Sequence, residues 1–238
     1  MSLPVAILAG GLATRLRPLT EKIPKSLIPV AGRPFVAHQI ELLRQNGLKE
    51  MVFCLGHLGP LIEKYLGDGT PFHVKIRYSY DGPDLLGTGG ALRKALPLLG
   101  PRFFVLYGDS YLDIDYGQVE RAFGESRKLG LMTVMRNAGK WDRSNVVMKE
   151  GRILRYDKRE KSPEMQYIDY GLAALWAEAI RDYPQAGRLD LESVYQSLLK
   201  RNELAAFEVR QRFFEIGSEA GLSQLEEYLR IKNQGEGL

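Results

Sequence analysis

The residues best able to do chemistry lie in Leu8-Ala-Gly-Gly-Leu-Ala-Thr-Arg-Leu-Arg-Pro18, with Pro24-Lys25 just beyond. Gly10 and Gly11 follow an apolar run, where absent side chains let the backbone approach a ligand and aim N–H groups at it. Thr14 adds a hydroxyl, Arg15 a guanidinium and Lys25 an ammonium, a donor set suited to a polyphosphate. A glycine pair alone would equally describe a tight turn beside solvated basic residues. The added cations, and the prolines that fix the loop, favour phosphate binding. A P-loop spacing is absent, and neither Gly10-Gly11-Leu12-Ala13 nor Gly87-Thr-Gly-Gly-Ala-Leu92 completes a dinucleotide fingerprint.

Carboxylates supply the second kind of chemistry. Asp109 follows Phe103-Phe-Val-Leu-Tyr107-Gly108, at the end of an apolar run, where open α/β sheets place ligands. Asp113-Ile-Asp115 has the Asp-x-Asp spacing of a glycosyltransferase metal site. Lys158 sits in the charged run Tyr156-Asp-Lys-Arg-Glu-Lys161, which by composition alone reads as a solvated face. Gly171, in Tyr167-Ile-Asp-Tyr-Gly171, would either let a sugar approach the backbone or mark a bulge. His38, His57 and His73 are too scattered for a metal cluster, and Cys54, within an apolar run, reads as a core residue.

The elements that must position these residues have two textures. In the first half, apolar runs at 4–9, 51–55 and 103–107, and an alternating strand over 74–80, are interleaved with helical spacing over 35–45, 61–66 and 90–99. That rhythm predicts a parallel sheet covered on both faces. In the second half, strands are expected over 131–135, 146–149, 153–156 and 166–176, and helices over 190–200 and 219–231. We expect one domain over 1–238, with a nucleotide-binding half over 1–130 and a substrate portion over 131–238. The chain has 238 residues, enough for a full core without metals or staples. Its charge, 33 basic against 29 acidic residues, is a mild +4 that suits phosphorylated small molecules and falls short of a nucleic-acid-binding arm. A single cysteine excludes an internal disulfide framework. No apolar run is long enough to span a bilayer, and no secretory pattern opens the chain, so a cytoplasmic location is expected.

The run Leu8-Ala-Gly-Gly-x-x-Thr-Arg-Leu-x-Pro18 with Pro24-Lys25 resembles the signature of sugar-1-phosphate nucleotidyltransferases. Further matches follow in order: Gly32-Arg-Pro34, Leu86-Gly-Thr-Gly-Gly-Ala91, Tyr107-Gly-Asp109, Asp157-Lys158 and Phe214-Glu-Ile-Gly-Ser218. The resemblance implies a three-layer Rossmann-like α/β fold. Its sheet would be mixed but mainly parallel, with a smaller C-terminal substrate-binding portion, which makes 131–238 the sugar-binding half. It also implies Mg²⁺-dependent formation of an NDP-sugar and pyrophosphate from an NTP and a sugar 1-phosphate, by in-line attack on the α-phosphorus. Leu8, Ala9, Gly10, Gly11, Thr14, Arg15, Gly87, Thr88 and Gly89 would then bind the nucleotide, with Arg15 and Lys25 catalytic. Asp157, Lys158 and Gly171 would meet the sugar phosphate, and Asp109 and Glu215 would hold the metal. Guanine is the first choice of base, although thymidylyl, uridylyl and cytidylyl relatives use similar loops. Two residues depart from the pattern: Ala13 stands for a glycine in the phosphate loop, and Glu215 for an aspartate. The alternatives are a catalytically weak nucleotide-sugar regulator, or a glycosyltransferase using Asp113 and Asp115.

Overall fold

The computed structural model describes residues 2–11, 16, 18–137, 139–160, 162–184 and 187–235. Thr14 and Arg15, expected at the phosphates, lie outside the described residues, as does Ala13.

In chain order the elements are β1 (Val5–Ala9), β2 (Pro29–Val30), β3 (Arg33–Pro34), α1 (Phe35–Gln45), β4 (Glu50–Leu55), α2 (Gly59–Leu66), β5 (Lys75–Tyr80), α3 (Gly87–Leu99), β6 (Arg102–Tyr107) and β7 (Ser110–Tyr111). There follow α4 (Tyr116–Ser126), β8 (Gly130–Arg136), β9 (Val146–Lys149), β10 (Arg152–Tyr156), β11 (Tyr167–Trp176), α5 (Ala177–Arg181), α6 (Leu191–Lys200), β12 (Leu204–Val209), β13 (Phe214–Glu215) and α7 (Glu219–Gly235).

β1 lies between β4 and β6, and β5 flanks β4, all parallel. β11 runs antiparallel to β6 on one side and to β8 on the other, and β12 pairs parallel with β8. The sheet is therefore mixed and mainly parallel, and strands from both halves of the chain share it. Alternation along β1 shows why it is buried on both faces. Val5 and Ile7 pack with Ile40, Leu43 and Phe53 under α1, α2 and α4. Ala6 points the other way, to Val52, Cys54 and Leu92 under α3, α5 and α6. A third cluster seats α7, through Leu225 and Leu229, on Val30, Phe35, Tyr111 and Phe214.

The chain runs outward from β1 through β4 to β5, then returns to β6 beside β1. The loops after β1 and β6 thus part at a topological switch point, where a crevice opens at the strands' carboxyl ends. The second half adds a hairpin, β9–β10, turned by Glu150 and Gly151, both at positive φ. It joins β11 only at Tyr167, opposite Val146.

Several elements escape the sequence pattern. α4, α5 and β12 stand outside the expected elements, although α4 carries a helical stripe in Tyr116, Val119 and Phe123, and β12 forms because β8 offers a ladder along its whole length. Phe214 and Glu215 form a two-residue ribbon, β13, paired with β7 outside the main sheet.

Candidate active site

A cavity of about 350 Å³ opens at the switch point. Leu8, Ala9, Gly10 and Gly11 form one wall, Lys25 and Ser26 a second, and Gly87 and Thr88 a third, while Tyr107, Gly108 and Asp109 supply the end of β6. Backbone packing brings these walls together. The Gly108 N–H donates to Leu8 C=O at 2.9 Å, which ties the ends of β1 and β6. Gly56, after β4, lies so close to Gly10 that a Cβ there would come within 2.7 Å of the Gly10 carbonyl.

Lys25 and Asp109 meet across the cavity, with Nζ 2.6 Å from Oδ2. A turn over Lys25–Leu27 directs the lysine inward and buries Ser26, whose Oγ finds no partner among the described residues. A buried hydroxyl without a partner is costly. Asp81 also lines the cavity; its Oδ2 accepts from the Leu86 N–H at 3.2 Å. Burial pushes its carboxyl above the usual range, against the opposing pull of that N–H and of Lys94. Cys54 forms part of the lining, and burial pushes its thiol up to about 12.

Of the residues expected at the nucleotide, Leu8, Ala9, Gly10, Gly11, Gly87 and Thr88 thus come together, with Lys25, expected to be catalytic, and Asp109, expected at the metal. Gly89 is at the same turn but faces away: its N–H donates to Leu189 C=O at 2.8 Å. The segment 187–191 holds the start of α3, and Thr88 Oγ1 accepts from the Leu191 N–H at 2.8 Å.

Lys158 and Gly171 lie behind Tyr107, outside the cavity lining. Lys158 Nζ is 3.1 Å from Tyr107 Oη and sits over the rings of Tyr107 and Tyr156. A Cβ on Gly171 would come within 3.3 Å of Ser110 Oγ and 3.7 Å of Tyr107. Both residues therefore approach Tyr107, which also lines the cavity. Asp157 does not join them. Its Oδ1 accepts from the Arg159 and Glu160 N–H groups, which hold its carboxyl below the usual range and shape an exposed turn.

Glu215 and Asp109 are neighbours by backbone, because the Ile216 N–H donates to Asp109 C=O at 3.0 Å. Their carboxylates enter different networks. Glu215 turns back to accept from the Gly217 N–H and, at 3.1 Å, from Ser218 Oγ. For a hard divalent cation the oxygen of Asp109 faces the cavity and fits, since Mg²⁺ is commonly held by one or two carboxylates plus substrate phosphates. Glu215 fits only by leaving its turn.

Asp113 and Asp115 are committed elsewhere. Asp113 Oδ2 accepts from Lys232 Nζ at 2.6 Å and from the Tyr228 hydroxyl. Asp115 caps α4 through the Gln118 N–H at 3.0 Å. Neither lines the cavity, so this geometry gives the Asp-x-Asp alternative no support. Sequence reasoning missed Ser26, Asp81, Tyr107, Arg188 and Asp190 in the cavity. Tyr107 had a signal, its place before Gly108-Asp109. Asp190, before α6, had none, because only the fold carries it to α3.

Known proteins resemble this chain in sequence and fold. Residues 5–157 match the model of the nucleotidyl transferase family. The D-glycero-α-D-manno-heptose 1-phosphate guanylyltransferase of Campylobacter jejuni is 28% identical over 212 residues, 89% of this chain and 93% of that protein. An N-acetylmuramate α-1-phosphate uridylyltransferase of Neisseria meningitidis is 44% identical over 111 residues, 46% of this chain and 48% of its own length. In fold, the chain superposes with a TM-score of 0.85 on a Bacillus anthracis protein provisionally assigned as a glucose-1-phosphate thymidylyltransferase, at 22% identity and 96% coverage of each chain. With the glycine walls, Lys25 and Asp109 gathered at the switch point, the matched residues contain most of the cavity, and the chain belongs to the nucleotidyl transferase family.

Proposed function

We propose that this chain joins an NTP to a sugar 1-phosphate, giving an NDP-sugar and pyrophosphate. The observation that carries this reading is the cavity in which glycine backbone, the Lys25 ammonium, the orphaned Ser26 hydroxyl and the Asp109 carboxylate converge. A sugar phosphate oxygen attacks the α-phosphorus, the bond to the α–β bridging oxygen breaks, and pyrophosphate leaves on the opposite side. Such a transfer needs positioning and charge neutralisation, with no covalent intermediate on the protein.

The roles follow from place and charge. The Gly10 and Gly11 backbone approaches the phosphates, and Lys25 exchanges Asp109 for the reacting phosphoryl oxygens. Arg15 would meet the β- and γ-phosphates. Asp109 would hold Mg²⁺ with phosphate oxygens and water, and Glu215 would join only on leaving its turn. When bound, the ion supplies Lewis-acid neutralisation of the transferring phosphate. Lys158, behind Tyr107, would neutralise the acceptor phosphate, which otherwise repels the triphosphate. Gly171 would line the sugar region beside Ser110.

Guanine is the base this reading favours. A carboxylate such as Asp81 offers acceptors to paired donors, which the N1–H and N2–H₂ edge of guanine supplies and uracil does not. The test is incubation with Mg²⁺, each NTP and a panel of sugar 1-phosphates, followed by assay of pyrophosphate. Release is expected with at least one pair and fastest with GTP. No release with any pair, together with retained nucleotide-sugar binding, would leave a regulator on the same fold.

A further inference from the structure

Asp169 lies in β11 at the point where the strand loses register against β8, between Asp169 and Ala173. Its side chain is only 7% exposed, yet it faces a lysine. Oδ2 accepts from the Tyr156 hydroxyl at 2.9 Å and lies 3.5 Å from Lys158 Nζ. Oδ1 accepts from the Gly171 N–H at 3.1 Å, where Gly171 takes φ +101° to form the bulge. The Asp169 N–H in turn donates to Asn145 Oδ1 at 2.8 Å, which fixes the backbone. The ammonium sits 5.0 Å from the Tyr107 ring centre and 5.8 Å from that of Tyr156, with a further contact to Tyr107 Oη.

We infer that Asp169 is the positioning residue of the acceptor region: it aims the Lys158 ammonium at an incoming phosphate monoester and, through Gly171, sets the wall beside it. This rests on the reading above, in which Lys158 meets the sugar phosphate. Long lysine side chains lose much rotamer freedom when fixed. Here two ring faces and a buried carboxylate hold the ammonium before any ligand arrives. An ammonium has three N–H donors; Tyr107 and Asp169 engage two of them, which leaves one for a phosphate oxygen. Burial opposes the charge on Lys158, but its contacts with Tyr107 and Asp169 outweigh burial and hold it above the usual lysine range. The acceptor region therefore presents a charged donor throughout the neutral range.

A double-mutant cycle tests the inference. Asp169→Ala and Lys158→Met should each raise KM for the sugar 1-phosphate about tenfold or more, with KM for the NTP within about twofold. Asp169→Asn keeps one acceptor oxygen, enough for the Gly171 N–H, but turns an NH₂ donor toward the Tyr156 hydroxyl and Lys158, and should fall between Asp169→Ala and the parent. The double variant should be no worse than Lys158→Met, because Asp169 acts through the lysine. Multiplied single effects, or equal rises in both KM values, would make Asp169 merely structural and overturn the inference. A second readout needs no turnover: inorganic phosphate should shift the ¹⁵N-labelled Lys158 ammonium resonance in the parent at concentrations that leave Asp169→Ala unshifted. Equal shifts in both proteins would overturn the inference even in an active enzyme. A parent that shifts with phosphate but releases no pyrophosphate would overturn the proposed reaction instead.

Discussion

Lys25 and Asp109 neutralise each other at 2.6 Å, with side chains 16% and 34% exposed. Such a pair is poised for exchange, because a triphosphate competes for the ammonium and frees the carboxylate. Lys25→Ala should therefore lower kcat by about a hundredfold, or about 3 kcal/mol of transition-state stabilisation. Lys22→Ala, on an exposed residue with no place in the cavity, should leave the rate near that of the parent. Steady-state assay of both variants, each checked for folding, decides the matter; equal rates would remove Lys25 from the mechanism. Asp109 and Glu215 should separate in the same way. Asp109→Asn takes the charge from the cavity and should abolish pyrophosphate release. Glu215→Gln keeps one acceptor oxygen for the Gly217 N–H and can donate its NH₂ to Ser218 Oγ, and should cost less at saturating Mg²⁺. A Glu215→Gln variant as inactive as Asp109→Asn across a Mg²⁺ titration would show that the glutamate leaves its turn to serve the metal.

The start of α3 is where element geometry becomes site geometry. Gly87 takes φ +76°, and a Cβ there would stand 2.6 Å from the Leu189 carbonyl. The Gly89 and Gly90 N–H groups both donate to that same carbonyl. Gly87→Ala must therefore strain the backbone and push the 187–191 segment away from α3. A loss of about 2 kcal/mol is expected, together with a raised KM for the NTP, since Gly87 and Thr88 line the cavity. Thermal unfolding and nucleotide titration of the variant check both halves. An unchanged Tm would mean that the turn relaxes at no cost. The glycine cluster was legible in the sequence as a turn, but the chain segment it receives was not. Leu189 is about a hundred residues from Gly87, and nothing local marks it as the partner of that turn.

At the scale of the whole molecule, the switch point places one thiol beneath the cavity. Cys54, in β4, is 1% exposed, and its thiol is pushed up to about 12 by burial first and the Asp81 charge second. At pH 8 it should resist a maleimide in the folded protein and react at a rate set by opening. A bound nucleotide should slow that labelling in proportion to 1 + [L]/Kd. Mass spectrometry of the labelled protein with and without GTP therefore measures binding without turnover. A rate unaffected by any NTP would show that the cavity does not take a nucleotide. No helix among the described residues is long and apolar enough to cross a membrane.

The apolar runs and their spacing determined the parallel half of the sheet, because a strand buried on both faces must be apolar along its buried length, as β1 is. The same holds for β4 and β6 past the exposed Glu50 and Arg102 that open them. The glycine run and Asp109 were legible for a similar reason: each follows such a strand, so local order already places it at the strand's carboxyl end. Lys25, far past β1, was legible only from its place after Pro24 in the proline-fixed loop. Tertiary structure decided what depends on long-range pairing. It put β12 beside β8, took Asp113 to α7 through Lys232, folded Glu215 into its own turn, and brought Asp169 under Lys158. A charged residue in sequence shows its charge but not its partner. The partner is fixed by register and by helix docking, which bring together residues that no local pattern connects.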